Sequence, residues 1–190
     1  MANGKTIKSY FGESGKSMTK LIVIGTLHAG LTPEEELFDI LNNLKLEILL
    51  IEMVQKDVEM EILNNYPPEM ISAYHWAKKQ NISVYGFDSA IHTLRDGMTE
   101  QDNQDAIDKQ KEIMKKFTWK DINKEKNLAL LNGNLWEKLV DPNKHRRREE
   151  EMIKNIKHIL DSTKTTIILT GCAHLKTFEQ TFPQAIFPFR

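Results

Sequence analysis

The chain predicts an α/β fold: a mostly parallel central sheet flanked by helices, with a helical insertion. Two observations carry that expectation. Residues 21–24, 48–51, 82–85 and 165–170 are short apolar runs, as strands covered on both faces should be. Between them lie segments with the three-to-four-residue spacing of amphipathic helices. Connections that long suit parallel pairing, because antiparallel neighbours need only a tight hairpin.

Composition narrows the class further. At 190 residues the chain fits one domain with a substantial core. With 40% hydrophobic residues, 28% charged residues and a formal net charge of −1, it resembles an ordinary globular protein and has no global attraction to nucleic acid or membrane. The short basic run from Lys144 to Arg148 is offset at once by three glutamates, so no nucleic-acid partner is expected. No apolar stretch approaches the roughly 20 residues that cross a bilayer. Residues 1–19 lack the central apolar block of a secretory signal. The single cysteine, Cys172, allows neither an internal disulfide nor a multi-thiolate metal site. A cytoplasmic protein without a membrane partner is the resulting expectation.

The elements follow in order. Residues 1–19 read as a polar tail. Within them Gly12-Glu13-Ser14-Gly15-Lys16-Ser17 imitates a phosphate-binding loop, but Tyr10 stands where that motif needs its first glycine. A single domain is expected over residues 20–190. After the first strand, Thr32-Pro33-Glu34-Glu35 should open a helix, with Thr32 as N-cap and Leu37, Ile40, Leu41 and Leu44 as its buried stripe. Helical patterning covers residues 55–80, interrupted at Pro67-Pro68. Residues 99–140 are polar and helix-compatible, with sparse apolar points such as Phe117, Trp119, Leu128, Leu135 and Trp136; they read as helices laid over the sheet. Asp141-Pro142 caps a long helix reaching about residue 160. Residues 184–189 suggest a closing edge strand, where Pro188 is tolerated.

The chemistry concentrates at strand ends. Gly-x-x-His occurs twice, as Gly25-Thr26-Leu27-His28 after the first strand and Gly171-Cys172-Ala173-His174 after the fourth. The second strand leads to Glu52 and the third to Asp88. Parallel strands share a carboxyl edge, where open α/β sheets bind ligands, so these side chains should gather there. On the helix after Asp141, one turn back from Met152 and Ile153 places Arg148 and Glu149 on the buried line, and His145 extends it. A core-facing Arg needs an acidic partner or an anionic ligand. Two His and a carboxylate can hold a catalytic divalent metal, with Zn, Mn or Co all compatible with such N/O ligands. The nominated metal set is His28, Glu52 and His174. The same groups can work without metal, one His acting as general base, Glu52 orienting it and Arg148 stabilising an oxyanion. Cys172 reads as a buried filler. His75, His92 and His158 read as surface or packing residues, and the tryptophans as packing.

Five blocks in this order resemble the superfamily that joins TraB/PrgY proteins, Tiki proteases, erythromycin esterases and ChaN-like haem-binding proteins. They are Ile24-Gly25-Thr26-Leu27-His28, Leu50-Ile51-Glu52, Val84-Tyr85-Gly86-Phe87-Asp88, Arg148-Glu149-Glu150-Glu151-Met152 with the following Ile153-Lys154-Asn155, and Gly171-Cys172-Ala173-His174-Leu175. Gly25-Thr26 matches the TraB/Tiki side, since esterase-like members begin that motif with Gly-Glu. The resemblance to Tiki-like members implies metal-dependent peptide hydrolysis through His28, Glu52 and His174. That to the esterase-like members implies metal-independent ester or lactone hydrolysis, with the Arg-Asp-x-x-Met helix carried onto Arg148 and Met152. Glu149 stands where that motif has Asp. ChaN-like members imply haem as an alternative ligand, held between the two protomers of a homodimer. The expected activity is therefore hydrolysis of a peptide or other amide or ester bond, with a peptide or small molecule as substrate. The candidate site comprises His28, Glu52, Arg148, Glu149 and His174, with Gly25, Asp88 and Gly171 beside them.

Overall fold

The computed structural model describes residues 20–132 and 138–190; the polar tail with its Gly12–Ser17 imitation, and Leu135 and Trp136, lie outside them. Four strands, β1 (Leu21–Thr26), β2 (Ile48–Val54), β3 (Ser83–Asp88) and β4 (Thr166–Gly171), form one sheet in the order β1-β4-β2-β3. Every pairing is parallel. The two central strands explain their own sequences: β4 is buried throughout and β2 in all but its last residue. Their apolar side chains are buried on both faces of the sheet, as continuous hydrophobic runs imply.

Helix α1 (Glu34–Asn42) follows β1, and α2 (Gln55–Met60) and α3 (Pro68–Lys79) follow β2. Helix α1 packs on α3, and α3 on β2 and β3. The helices α4 (Glu100–Met114), α5 (Trp119–Ile122) and α6 (Glu125–Asn132) come next, then α7 (Pro142–Ile159) and, after β4 and a 3-10 turn at Cys172–His174, α8 (Leu175–Thr181). Helix α7 packs on β3 and α8, and α8 on β1. The steps from β1 to β2 and from β2 to β3 run one way across the sheet and that from β3 to β4 runs back. Right-handed crossovers therefore place α1 and α3 on one face and α7 on the other.

Several local expectations are refined. Helix α1 begins one residue later than its capping motif suggested: Pro33 is the N-cap and makes no side-chain cap bond. The Thr32 hydroxyl is buried and occupied elsewhere, accepting from Leu27 N at 2.8 Å and donating to Leu27 O at 3.0 Å. It closes the loop after β1 instead of capping the helix. Strand β3 runs on to Asp88, and β2 through Glu52 to Val54, so both acids lie within strands. The expected strand over residues 184–189 is a single parallel bridge, Ile22 to Ile186, with Val23 N donating to Ile186 O and Ile186 N to Leu21 O. A proline two residues on, at 188, removes the donor that would continue the ladder.

The insertion packs on the sheet. Trp119 is buried and donates to Glu36 on α1 at 3.2 Å, while Asn123 donates to Gly25 O at 3.0 Å. A Cβ on Gly25 would lie 2.7 Å from Leu175 Cδ1, so only glycine lets α5 and α8 close over the end of β1. Among the described residues no helix is long and apolar enough to cross a membrane.

Candidate functional site

Strand β4 lies between β1 and β2, and this position builds the site. The chain leaves both neighbours toward one face of the sheet and leaves β4 toward the other, which opens a crevice at their carboxyl ends. In the β1–β4 register Thr26 stands opposite Gly171, so the two Gly-x-x-His units descend side by side. The cleft there has a volume of about 330 Å³, and His28, Glu52, Asp88, Arg148, Gly171 and His174 all line it.

His28 is aimed by a tight turn. Ala29 (φ 61°) and Gly30 (φ 72°) adopt left-handed conformations immediately after it, an uncommon choice for alanine, inside the loop that the Thr32–Leu27 bonds close. The ring's Nδ1 lies 2.6 Å from Glu69 Oε1. Glu69 is fully buried, whereas the His28 side chain is 41% exposed. The other nitrogen, Nε2, sits over Gly171, where a Cβ would be 2.8 Å away. Glycine at 171 is thus the floor under the imidazole. Burial opposes the charged form of His28, but the hydrogen bond to Glu69 and the charges of Glu52 and Glu69 outweigh it and raise its pKa above 6.5.

Glu52 is a junction. Its Oε2 accepts from Thr170 Oγ1 at 2.7 Å and Gly171 N at 2.6 Å, and its Oε1 accepts from Arg148 Nη2 at 2.9 Å. His174 Nε2 lies 3.4 Å from the same Oε1. Burial disfavours the carboxylate, but the positive charges of His174, His28 and Arg148 and the hydrogen bond from His174 hold its pKa well below the usual range. Arg148 grips Asp88 with two bonds, Nε to Oδ1 at 2.8 Å and Nη2 to Oδ2 at 2.6 Å. Such forked pairing fixes the guanidinium plane. Its Nη1 has no acceptor among the described residues. Asp88 also accepts from Ser89 N at 2.7 Å, so it is both a turn cap and the anchor of Arg148.

The second imidazole has a carboxylate on each side. His174 Nδ1 lies 2.8 Å from Glu149 Oε1, and Thr177 Oγ1 donates to Glu149 Oε2 at 2.9 Å. Burial opposes charge on His174, but Glu52 and the bonds to Glu149 and Glu52 push its pKa up to about 9. For Glu149 burial favours protonation, yet the bonds from His145 and His174 bring it down to about 2. His145 stacks on His174 with ring centroids 5.2 Å apart. Met152 and Ile156 are buried on the same face of α7, the stripe that predicted where Arg148 and Glu149 point.

Four residues of the nominated set, His28, Glu52, Arg148 and His174, meet in the cleft together with Asp88 and Gly171; Glu149 supports His174 from behind. Gly25 serves packing. Cys172 is buried and its thiol is pushed up to about 12 by burial, as suits a filler. His75, His92 and His158 are exposed. Glu69 went unrecognised in the sequence. Its signal was present, because Glu69, Ala73 and Ala77 share one buried face of α3 at four-residue spacing. Tyr66, which lines the cleft, donates to Asp57 at 2.6 Å and accepts from Val54 N at 3.0 Å.

The metal set expected from the sequence shares His174 with a second group of possible ligands. Among the described residues, His145, Glu149 and His174 offer ligand atoms within 4.8 Å of one another. At Glu52 a cation would adjoin the Arg148 guanidinium, and both carboxylate oxygens already accept hydrogen bonds. His28, Glu52 and His174 therefore fit a metal poorly as they stand.

Comparison of the chain with protein-family models, with curated proteins and with solved structures finds no match. What the cleft can do is therefore read from its own geometry.

Proposed function

We propose that the cleft is a hydrolytic site for an ester or amide bond of a small molecule or a peptide end, with His28 as general base. One observation carries this reading: a buried carboxylate, Glu69, holds His28 Nδ1 at 2.6 Å and leaves Nε2 at the cleft. A carboxylate–imidazole pair of this kind fixes the tautomer whose bare nitrogen can accept a proton.

In the reaction, Nε2 of neutral His28 takes a proton from water as its oxygen attacks the carbonyl carbon. The developing oxyanion is met by the Arg148 guanidinium, whose Nη1 has no acceptor among the described residues. Collapse of the tetrahedral species breaks the bond to the leaving group, and His28 returns its proton to that group. Glu52 and Asp88 hold Arg148 in place and do not react. A volume of about 330 Å³ lies at the lower end of the range of small-molecule sites, which supports a compact acyl substrate over an extended peptide.

The test is a panel of aryl esters, lactones and short peptides offered to the chelator-treated protein and to His28→Ala. The expected loss on removing the base is about 100- to 10,000-fold. A substrate turned over equally fast by His28→Ala overturns the assignment. The metal-assisted form, with an ion at His28, Glu52 and His174, is favoured instead if chelation abolishes turnover, added Zn2+, Mn2+ or Co2+ restores it, and both effects persist in His145→Ala.

A further inference from the structure

Behind His174, on the side away from Glu52, two imidazoles converge on one carboxylate oxygen. His174 Nδ1 is 2.8 Å and His145 Nε2 is 3.4 Å from Glu149 Oε1. His145 and Glu149 are one helical turn apart on α7, so their spacing puts both on one face. His174 is delivered by the turn after β4. Neither His145 nor Glu149 lines the cleft, and this cluster is a separate feature of the fold that shares one residue with it.

The supporting contacts suit a metal. In tetrahedral sites with bonds of about 2.0–2.2 Å, neighbouring N and O ligands stand about 3.3 Å apart, and the three donor atoms here lie within 4.8 Å of one another. A metal-bound His normally donates its other ring N–H to a carboxylate, and His174 Nε2 faces Glu52 Oε1 at 3.4 Å. The carboxylate ligand is likewise supported, since Thr177 donates to Glu149 Oε2 and leaves Oε1 to face the two rings. Glu149 faces His145 Nε2, and His145 Nδ1 is buried without a hydrogen-bond partner, so an ion at Nε2 leaves the ring's remaining proton on Nδ1. Side-chain exposures of 21%, 11% and 4% for His145, Glu149 and His174 leave the His145 side open for an ion to enter and for a water to complete the coordination.

From this arrangement we infer that His145, Glu149 and His174 form a binding site for a borderline divalent transition ion of the Zn2+ type. The two-imidazole, one-carboxylate donor set selects such ions over Mg2+ or Ca2+, which prefer all-oxygen ligands. The ion would replace a proton on His174 Nδ1 while Nε2–H still faces Glu52. Its role is to lock His174 and α7 against the end of β4. The inference stands whether or not the cleft is hydrolytic.

Zn2+ and Co2+ titrations of the full chain, followed by calorimetry and by the visible absorption of Co2+, test it. One ion per chain should bind the wild type and His28→Ala alike. His145→Ala and Glu149→Gln should each weaken binding by more than about 100-fold, beyond the cost of losing a merely supporting group. In the wild type, whose folding is not in question, the His145 ring NMR signals should move on Zn2+ addition while those of His28 stay. The inference is overturned if no ion binds, or if His145→Ala binds as the wild type does. It is equally overturned if His28→Ala abolishes binding while His145→Ala does not, since the ion would then sit on the cleft side of His174.

Discussion

Replacing Glu149 by Gln in the chelator-treated protein tests the electrostatics around His174. In the folded chain His174 titrates at about 9 against an ordinary value of 6.5. At RT ln 10 per pH unit this displacement corresponds to about 3 kcal/mol of preference for the charged ring. Glu52 and Glu149 share it. The depression of Glu149 from 4.5 to about 2 reflects the same contact together with that to His145, so the two figures are not summed. The His174 contribution is fully present below pH 6.5 and is lost as pH rises through about 9. The Glu149 contribution is present above pH 4.5 and is lost as pH falls through about 2. Glu149→Gln should therefore cost about 2 kcal/mol between pH 4.5 and 6.5, typical for a hydrogen bond to a charged group. The cost should shrink toward pH 10. Urea unfolding of both proteins at pH 6, 8 and 10 measures it. A stability gap that is constant across that range refutes the assignment of a charged His174 between two carboxylates.

Other perturbations probe the geometry. Gly171→Ala places a methyl 2.8 Å from His28 Nε2 and 3.4 Å from Glu52 Oε2; it should cost about 1–3 kcal/mol in thermal unfolding and displace the His28 ring signals. Arg148→Met removes the cation that joins Asp88 to Glu52, leaving Asp88 with the Ser89 N bond alone and Glu52 with Thr170, Gly171 N and His174, so a loss of about 3 kcal/mol is expected at pH 7. An Arg148→Met protein as stable as the wild type would show that the guanidinium does not hold the two strands' acids. Tyr66→Phe removes the bonds to Asp57 and Val54 N and should lower stability by about 1 kcal/mol.

The parts of the fold read correctly from the chain are those governed by local pattern. Continuous apolar runs mark β2 and β4 because both faces are buried, and the Asp141-Pro142 cap marks α7, whose Asp141 side chain accepts from Asn143 N and Lys144 N. The two Gly-x-x-His units are visible as a repeated pattern, although their glycines serve different ends: Gly171 makes room for the His28 ring and Gly25 for Asn123 and Leu175. The order β1-β4-β2-β3 is another matter. No short-range signal tells β4 to enter between β1 and β2, since that choice is made by packing across nearly 150 positions of chain. Glu69 was hidden for a related reason. After Pro67-Pro68 an acid in a first helical turn has an ordinary explanation at the helix dipole, and only the arrival of His28 from β1 gives its buried carboxylate a partner. The crowding of Glu52 was likewise hidden, because Arg148 reaches it from α7, a contact between residues 96 apart.

The most direct test of the central claim is the acid limb of the pH–rate profile for the best substrate of the panel, measured for the wild type and Glu69→Gln. A general base held by Glu69 must be neutral to act, so wild-type kcat/KM should rise with pH through a value above 6.5. In Glu69→Gln the limb should move to lower pH while kcat falls and KM changes little. A limb at the same pH in both proteins would contradict the claim that Glu69 and His28 work as one unit.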